Sequence, residues 1–305
     1  RFCQVTGVQT CALPILQRYC EEVLSKMQSG MELPPLPALS GDPVPIPPLM
    51  QELIGGTWLG MVEKLAERTA EMHIALASIT DNLEFAPEPF TSLYQRSIYQ
   101  AMCEHVKRAI LLLKEVRHTM PAETNALADR LVANQKQILQ QFDPIRAEKI
   151  DTFKVRIHGD YHLGQVLYTG NDFVIIDFEG EPARPLSERK IKRSVFRDVA
   201  GIIRSFDYAA FNVLLLDNPL IRPESVSRLE PWAERWSFYV GQCFIEAYFN
   251  ATKGYGIVPD YSSQRGLLLR AYLMNKAVYE LNYELNNRPH WTAIPMRGIL
   301  DLIKQ

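Results

Sequence analysis

The strand pattern of this chain is confined to one stretch, residues 153–176, and that confinement decides what the chain can fold into. Phe153, Val155 and Ile157 alternate with polar neighbours, the period of a half-buried strand. Residues 166–168 and 173–176 are two further apolar runs, joined by Thr169-Gly-Asn-Asp172, a good hairpin turn. On either side, apolar residues recur at helical spacing instead. Val62, Leu65, Ala66, Thr69, Met72, His73 and Leu76 predict a helix over 62–77, with His73 as a hydrogen-bonded core histidine. Ile98, Met102, Val106, Ala109, Ile110 and Leu113 predict another over 93–117, which Pro121 ends. Further helices are expected over 17–29, 122–142, 195–211, 231–250, 264–286 and 295–303. No five-stranded sheet fits between residues 50 and 150. The expected class is mostly α (α+β), built around one small antiparallel hairpin sheet.

Two stretches resist this pattern. Residues 32–49, ELPPLPALSGDPVPIPPL, are too proline-dense for a regular helix and read as an extended linker. The first residues, RFCQVTGVQTCALPI, resemble a translated sequencing-adapter segment, so residues 1–15 are set outside the expected fold. The division expected is therefore 16–49 as entry helix and linker, 50–150 as a helical part, and 151–305 as a core with C-terminal helices. GGTWLG, residues 55–60, is no phosphate loop. It follows a helix-like run, and its glycines do not match G-x-G-x-x-G.

Composition narrows the function classes. With 47% hydrophobic residues among 305, the chain can bury a sizeable core. A net charge of −2 argues against broad binding to nucleic acid or an anionic membrane. No apolar run approaches the roughly 18 residues that span a bilayer. The five cysteines show neither metal-ligand spacing nor a disulfide framework, which fits a reducing, cytoplasmic setting.

The strand-rich stretch also carries the chemistry. Its loop holds His158, Asp160, His162 and Gln165, and its second apolar run ends on Asp177, Glu179 and Glu181. Phosphoryl transfer to an alcohol needs a carboxylate that orients the hydroxyl and takes its proton, and oxygen donors that hold Mg²⁺ against the phosphates. Kinases place the first in H-R-D-x-x-x-x-N and the second at D-F-G after a strand. Here the interval from Asp160 to Gln165 equals the Asp-to-Asn interval of that loop, and Asp177-Phe-Glu179 follows an apolar run. Asp160 leaves one strand and Asp177 ends the hairpin's return strand, so both come to one edge of a small sheet. Mg²⁺ takes hard oxygen donors, which Gln165 and Asp177 supply, leaving Asp160 for the acceptor. His158 is expected to orient the loop, and His162 to be structural. A metal hydrolase using His158, Asp160 and His162 as an H-x-D-x-H cluster is the competing reading, but no second His-rich segment supplies further ligands.

HGDYHLGQVL and IDFEGEPARPLSERKIKRSVFRDVAGIIRSFDYAA resemble maltokinase, especially the maltokinase-type domain fused behind trehalose synthase, within the aminoglycoside-phosphotransferase-like group of kinases. The likeness extends through RTAEMHIALAS, APEPFTSLYQRSIYQ and KAVYELNYELNNRPHW. It implies the C-terminal lobe of a protein-kinase-like fold, with ATP and Mg²⁺ required, transfer of the γ-phosphate to maltose to give maltose 1-phosphate for α-glucan synthesis, and trehalose synthase as partner. By position it implies Asp160 as base and Gln165 and Asp177 as Mg²⁺ ligands. Glu179 is expected to assist the metal, and Glu181 the metal or sugar unless it pairs with Arg184. Asp198 is expected to buttress the catalytic loop. Arg184 and the basic run through Arg197 can steer phosphate or form a salt-bridged face. Tyr161, Trp236 and Trp291 are candidates to stack on sugar, and His162 a further contact. The resemblance also implies a β-rich N-terminal lobe, with lysine and phosphate loop, before residue 17. Without it the present chain is expected to turn over poorly.

Overall fold

Apolar residues at helical spacing become helices throughout the computed structural model, which describes residues 8–27, 30–215 and 221–304. The chain opens with α1 (Val8–Met27), α2 (Pro48–Ile54) and α3 (Gly56–Ala77). A short strand, β1 (Glu88–Pro89), precedes α4 (Ser92–Val116), α5 (Ala122–Ala133), α6 (Gln135–Gln140) and α7 (Pro144–Ala147). Next come β2 (Phe153–Lys154), β3 (Val166–Tyr168) and β4 (Phe173–Ile175). The helices α8 (Leu186–Arg189), α9 (Phe196–Leu215), α10 (Pro223–Ala251), α11 (Ser262–Asn287) and α12 (Ala293–Lys304) follow. Among the described residues the strands form two antiparallel pairs, β1 with β2 and β3 with β4.

Three expectations shift. The helix expected over 122–142 divides at Asn134, whose side-chain amide donates to the Arg130 carbonyl at 2.8 Å and competes with the ladder. The strand expected at Phe153, Val155 and Ile157 is cut short, leaving only β2 and an isolated bridge from Val155 to Arg193. Beyond it the amides of His158 and Gly159 go to a side-chain carboxylate, not to a neighbouring strand. Lastly, α1 begins at Val8, so residues 8–15 join a helix on which Ala12 and Leu16 are buried. Residues 1–7, and residues 28–29 of the expected entry helix, lie outside the described residues.

The chain divides into two units along lines other than 50–150 and 151–305. The first comprises residues up to Pro37, Asp42–Pro87 and Val155–Val258. There the buried face of α3 (Trp58, Val62, Leu65, Ala66) meets α10, and α9 packs on α10 through Phe206 against Phe244. Burying such large side chains is the main source of stability, at about 1.5–3 kcal/mol each. The proline-rich stretch is extended as expected, but it is pinned. Arg235 Nε donates to the Pro34 carbonyl at 3.0 Å and Tyr239 Oη to that of Pro35 at 2.7 Å. Gln242 Oε1 accepts from the Val44 amide at 3.0 Å. A polyproline-like backbone has no internal hydrogen bonds, so α10 supplies them.

The second unit comprises Ala38–Gly41, Glu88–Lys154 and Pro259–Gln305. It pairs α4 with α11 and α12 with α5 and α11. Buried Gln95 donates to the carbonyls of Ile145 and Glu148 at 2.5 and 2.7 Å, tying α4 to the turn at α7. Every chemically promising residue of the 158–198 region lies in the first unit.

Candidate active site

Asp198, near the start of α9, is 1% exposed and organises the loop. One carboxylate oxygen accepts the Gly159 amide at 3.0 Å. The other accepts the His158 amide at 2.8 Å and faces His73 Nε2 at 3.2 Å. Burial alone pushes a carboxyl pKa up. Here the hydrogen bond from His73, the imidazoles of His73 and His158 and the Gly159 amide outweigh burial and hold Asp198 below its usual value. Behind it, His73 Nδ1 lies 2.7 Å from the hydroxyl of Tyr248 on α10. Burial first, then the Asp198 charge, pushes that hydroxyl well above the usual tyrosine range, so it stays protonated and donates. The chain of donors thus runs Tyr248 to His73 to Asp198, and a buried carboxylate grips two backbone amides of the loop. His73 is the bonded core histidine its position implied.

His158 is buried and orients the loop with both ring nitrogens. Nε2 meets the Ile176 carbonyl at 2.8 Å, and Nδ1 accepts the Asp160 amide at 3.4 Å. His162 Nδ1 accepts the Gly164 amide at 3.0 Å and caps the short 3₁₀ turn Leu163–Gln165. These bonds occupy both ring nitrogens of His158 and Nδ1 of His162, and among the described residues no group of three His, Cys, Asp or Glu side chains is placed to hold a metal. Asp160 differs. It is half-buried, and its carboxylate has no hydrogen-bond or ion-pair partner among the described residues.

Tyr161 corrects one expectation. It is 2% exposed, and its hydroxyl bonds Thr69 Oγ1 at 2.7 Å beneath α3, leaving no ring face open to a sugar. Thr69 in turn donates to the Leu65 carbonyl at 2.8 Å, so Tyr161 is the donor to Thr69. Trp236 is likewise core, stacked on Trp58 at 6.1 Å. Trp291 lies in the second unit, with the Arg288 guanidinium 5.0 Å over its ring.

The hairpin brings the expected metal ligands together. Gln165 Nε2 donates to Asp177 Oδ2 at 2.9 Å, and the Ile176 amide donates to the Gln165 carbonyl at 3.0 Å. Asp177 has φ 65°, the one non-glycine positive φ among the described residues. That left-handed backbone is rare outside glycine, asparagine and aspartate, and it turns the chain sharply at the hairpin's end. An amide oxygen and a carboxylate side by side at an exposed turn fit a hard cation such as Mg²⁺. Exposed Glu179 follows on the same turn. Glu181 does not pair with Arg184 through side chains. Its carbonyl accepts the Arg184 amide at 3.0 Å, while the Arg184 guanidinium pairs with Glu188 at 3.0 Å.

Much of the basic run is spent on backbone. Arg189 donates to the carbonyls of Arg184 and Pro182 at 2.8 and 2.9 Å, and buried Lys192 to that of Leu83 at 2.6 Å. Burial, then the neighbouring charges of Arg184 and Arg193, lowers the pKa of Arg197. Sequence reasoning missed Gly201 and Ser205, and placed Thr69 on a buried helix face without its bond to Tyr161. A Cβ built on Gly201 would fall onto the Tyr161 carbonyl oxygen, so only glycine lets α9 approach the loop. Ser205 Oγ accepts the Leu163 amide at 3.2 Å. A glycine inside an otherwise regular helix was the one available signal.

The fold is similar to that of solved kinase structures. Residues 47–180 match the model of the phosphotransferase enzyme family. The particular relatives are glucosamine kinases. That of Streptacidiphilus jiangxiensis is 24% identical over 196 residues, covering 64% of this chain and 42% of its own. That of Mycolicibacterium smegmatis (strain ATCC 700084 / mc(2)155) is 27% identical over 148 residues, covering 48% and 34%. A glucosamine kinase structure in complex with glucosamine, ADP and inorganic phosphate superposes with TM-score 0.68 at 21% identity, over 97% of this chain and 57% of that one. Crystal form B of glucosamine kinase gives TM-score 0.70 at 20% identity, over 98% and 58%. The chain thus spans about half the length of the solved relatives and less of the curated ones. No helix among the described residues is long and apolar enough to cross a membrane.

Proposed function

We propose that this chain carries the acceptor and metal side of an ATP-dependent sugar kinase, with Asp160 as general base and Gln165 and Asp177 holding Mg²⁺. One observation carries the reading: the unpartnered Asp160 carboxylate sits on a loop gripped by buried Asp198, beside a hairpin that pairs Gln165 with Asp177 at 2.9 Å. Bound Mg²⁺ would neutralise phosphate charge. Asp160 accepts the proton of the sugar hydroxyl as that oxygen attacks phosphorus. His158 fixes the Asp160 amide, and the Asp198 carboxylate keeps the loop from moving as charge shifts. Glu179 sits on the Asp177 turn as a further oxygen donor, and His162, Glu181 and Arg184 are assigned to the sugar side. No described residue is assigned to gripping the nucleotide.

Maltose is the proposed acceptor, on the motif likeness over 158–208, with trehalose synthase as the proposed partner and the cytoplasm as setting. Glucosamine is the second reading, favoured by the names of the relatives. The test is ³¹P NMR of products from MgATP with maltose, glucosamine or an aminoglycoside. It is run on the chain alone and on the chain joined to the upstream half of a relative. Maltose 1-phosphate is expected from the joined form. Asp160→Asn should lower the rate by about 10²–10⁴-fold with the fold intact. Near-normal turnover in that variant removes Asp160 as base. Sugar binding by calorimetry without any phosphorylated product would instead mark a non-catalytic sugar-binding domain.

A further inference from the structure

Arg68, on the exposed side of α3, makes a two-pronged contact with the hairpin turn. Its Nε lies 2.7 Å from Asp172 Oδ1 and its Nη2 2.9 Å from Oδ2. The remaining terminal nitrogen is held by Glu71 at 2.7 and 2.5 Å, which fixes the plane of the guanidinium. Asp172 is itself built into the turn. Its Oδ1 also accepts the Phe173 amide at 2.8 Å, and its carbonyl accepts from the Thr169 amide and hydroxyl at 2.9 and 3.0 Å. From that turn, strands β3 and β4 run in register, Tyr168 opposite Phe173 and Val166 opposite Ile175, to the far end where Gln165 meets Asp177. The hairpin is thus a short lever. Arg68 holds one end, and the metal pair is the other.

The same helix holds the opposing part of the site. Thr69, next to Arg68, takes the Tyr161 hydroxyl, and His73, about one turn further on, donates to Asp198. We infer that Arg68 is a positioning residue for the metal pair: through Asp172 it sets where the hairpin holds Gln165 and Asp177 relative to Asp160. This rests on the assignment of Gln165 and Asp177 as ligands. A guanidinium fork gives direction as well as attraction, and a lysine at that position cannot reproduce it. Groups that orient metal ligands from outside the ligand set are worth about 10–100-fold in metal affinity.

The test uses Mn²⁺ as probe, read by water-proton relaxation enhancement on the whole chain without nucleotide. Wild type is expected to bind Mn²⁺ and Asp177→Asn to lose it. Arg68→Met and Asp172→Asn should each weaken binding roughly tenfold, and the double variant no further, with Arg68→Lys in between. The exchanged pair, Arg68→Asp with Asp172→Arg, should recover part of the loss, which general loosening of the fold would not do. If Asp177→Asn loses Mn²⁺ while Arg68→Met and Asp172→Asn bind like wild type, the positioning role is overturned and the ligand assignment stands. If wild type binds no Mn²⁺, or Asp177→Asn binds it normally, the ligand assignment falls and takes the positioning role with it.

Discussion

The loop over residues 158–165 owes its shape to a few residues packed against it from other elements. Asp198 accepts from two backbone amides and one imidazole at full burial, so replacing one oxygen by a donor sets N–H against N–H. Asp198→Asn is expected to cost about 3–5 kcal/mol in urea unfolding, the range for breaking a buried charged network. Gly201 gives a sharper test because two effects oppose. Alanine is favoured over glycine inside a helix by about 1 kcal/mol, whereas overpacking costs about 1–3 kcal/mol. At Gly201 the new Cβ meets the Tyr161 carbonyl, so Gly201→Ala should destabilise; at Gly60, in open space on α3, Gly60→Ala should stabilise by about 0.5–1 kcal/mol. Opposite signs in paired thermal melts check this. Asp160, Gln165 and Asp177 could be proposed from the sequence because motif spacing points to chemistry directly, and the structure places Gln165 against Asp177. The contacts of Thr69, Gly201 and Ser205 with the loop could not be, because they depend on what comes near in space. Tyr161 misled for the same reason. An aromatic beside a proposed catalytic aspartate suggests a sugar platform, yet the loop turns it inward to Thr69.

Among the elements, the long helices were legible as helices, since each carries an apolar stripe of its own, but their starts were less so: α3 begins at Gly56 and not 62, and α10 at Pro223 and not 231. The strand at residue 153 was not legible. Alternation there promised a partner strand, but the backbone leaves the ladder to reach Asp198. The hairpin was legible from its turn residues, and that turn carries an acid-sensitive contact. The hydrogen bond from Arg68, and next that from the Phe173 amide, lowers the Asp172 pKa from 3.8 to about 2. A depressed carboxyl stabilises fully above its unfolded value and loses that contribution as pH falls through the folded one. The stability difference between wild type and Arg68→Met, from urea unfolding at stepped pH, should therefore shrink as pH drops from 3.8 toward about 2. The proline-rich segment reads from sequence as a linker and proves to be a strap. Tyr239→Phe removes its bond to Pro35, so it should cost about 0.5–1.5 kcal/mol and speed limited proteolysis within residues 30–37.

At the scale of the whole molecule, the helices are grouped by contacts that no local pattern reports. The stretch from 50 to 150 reads as one helical block, yet α3 belongs with α9 and α10, while α4 belongs with α11. The fold class was legible and the grouping was not, because periodicity shows that a face is buried without showing against what. The acceptor sugar is a further step removed, since pocket shape is set by side chains from several such groupings. The Tyr248–His73–Asp198 chain has a consequence for how the protein is made. Its members are separated by 125 and 175 residues, and the loop they shape lies between them in sequence. During vectorial synthesis at about 5–20 residues per second, the HGD segment emerges before Asp198 and well before Tyr248. For several seconds the nascent chain displays the complete motif, with His73 already made, before Asp198 and Tyr248 arrive to give it form. The segment that reads as most self-sufficient in the sequence therefore waits for its geometry on helices made after it.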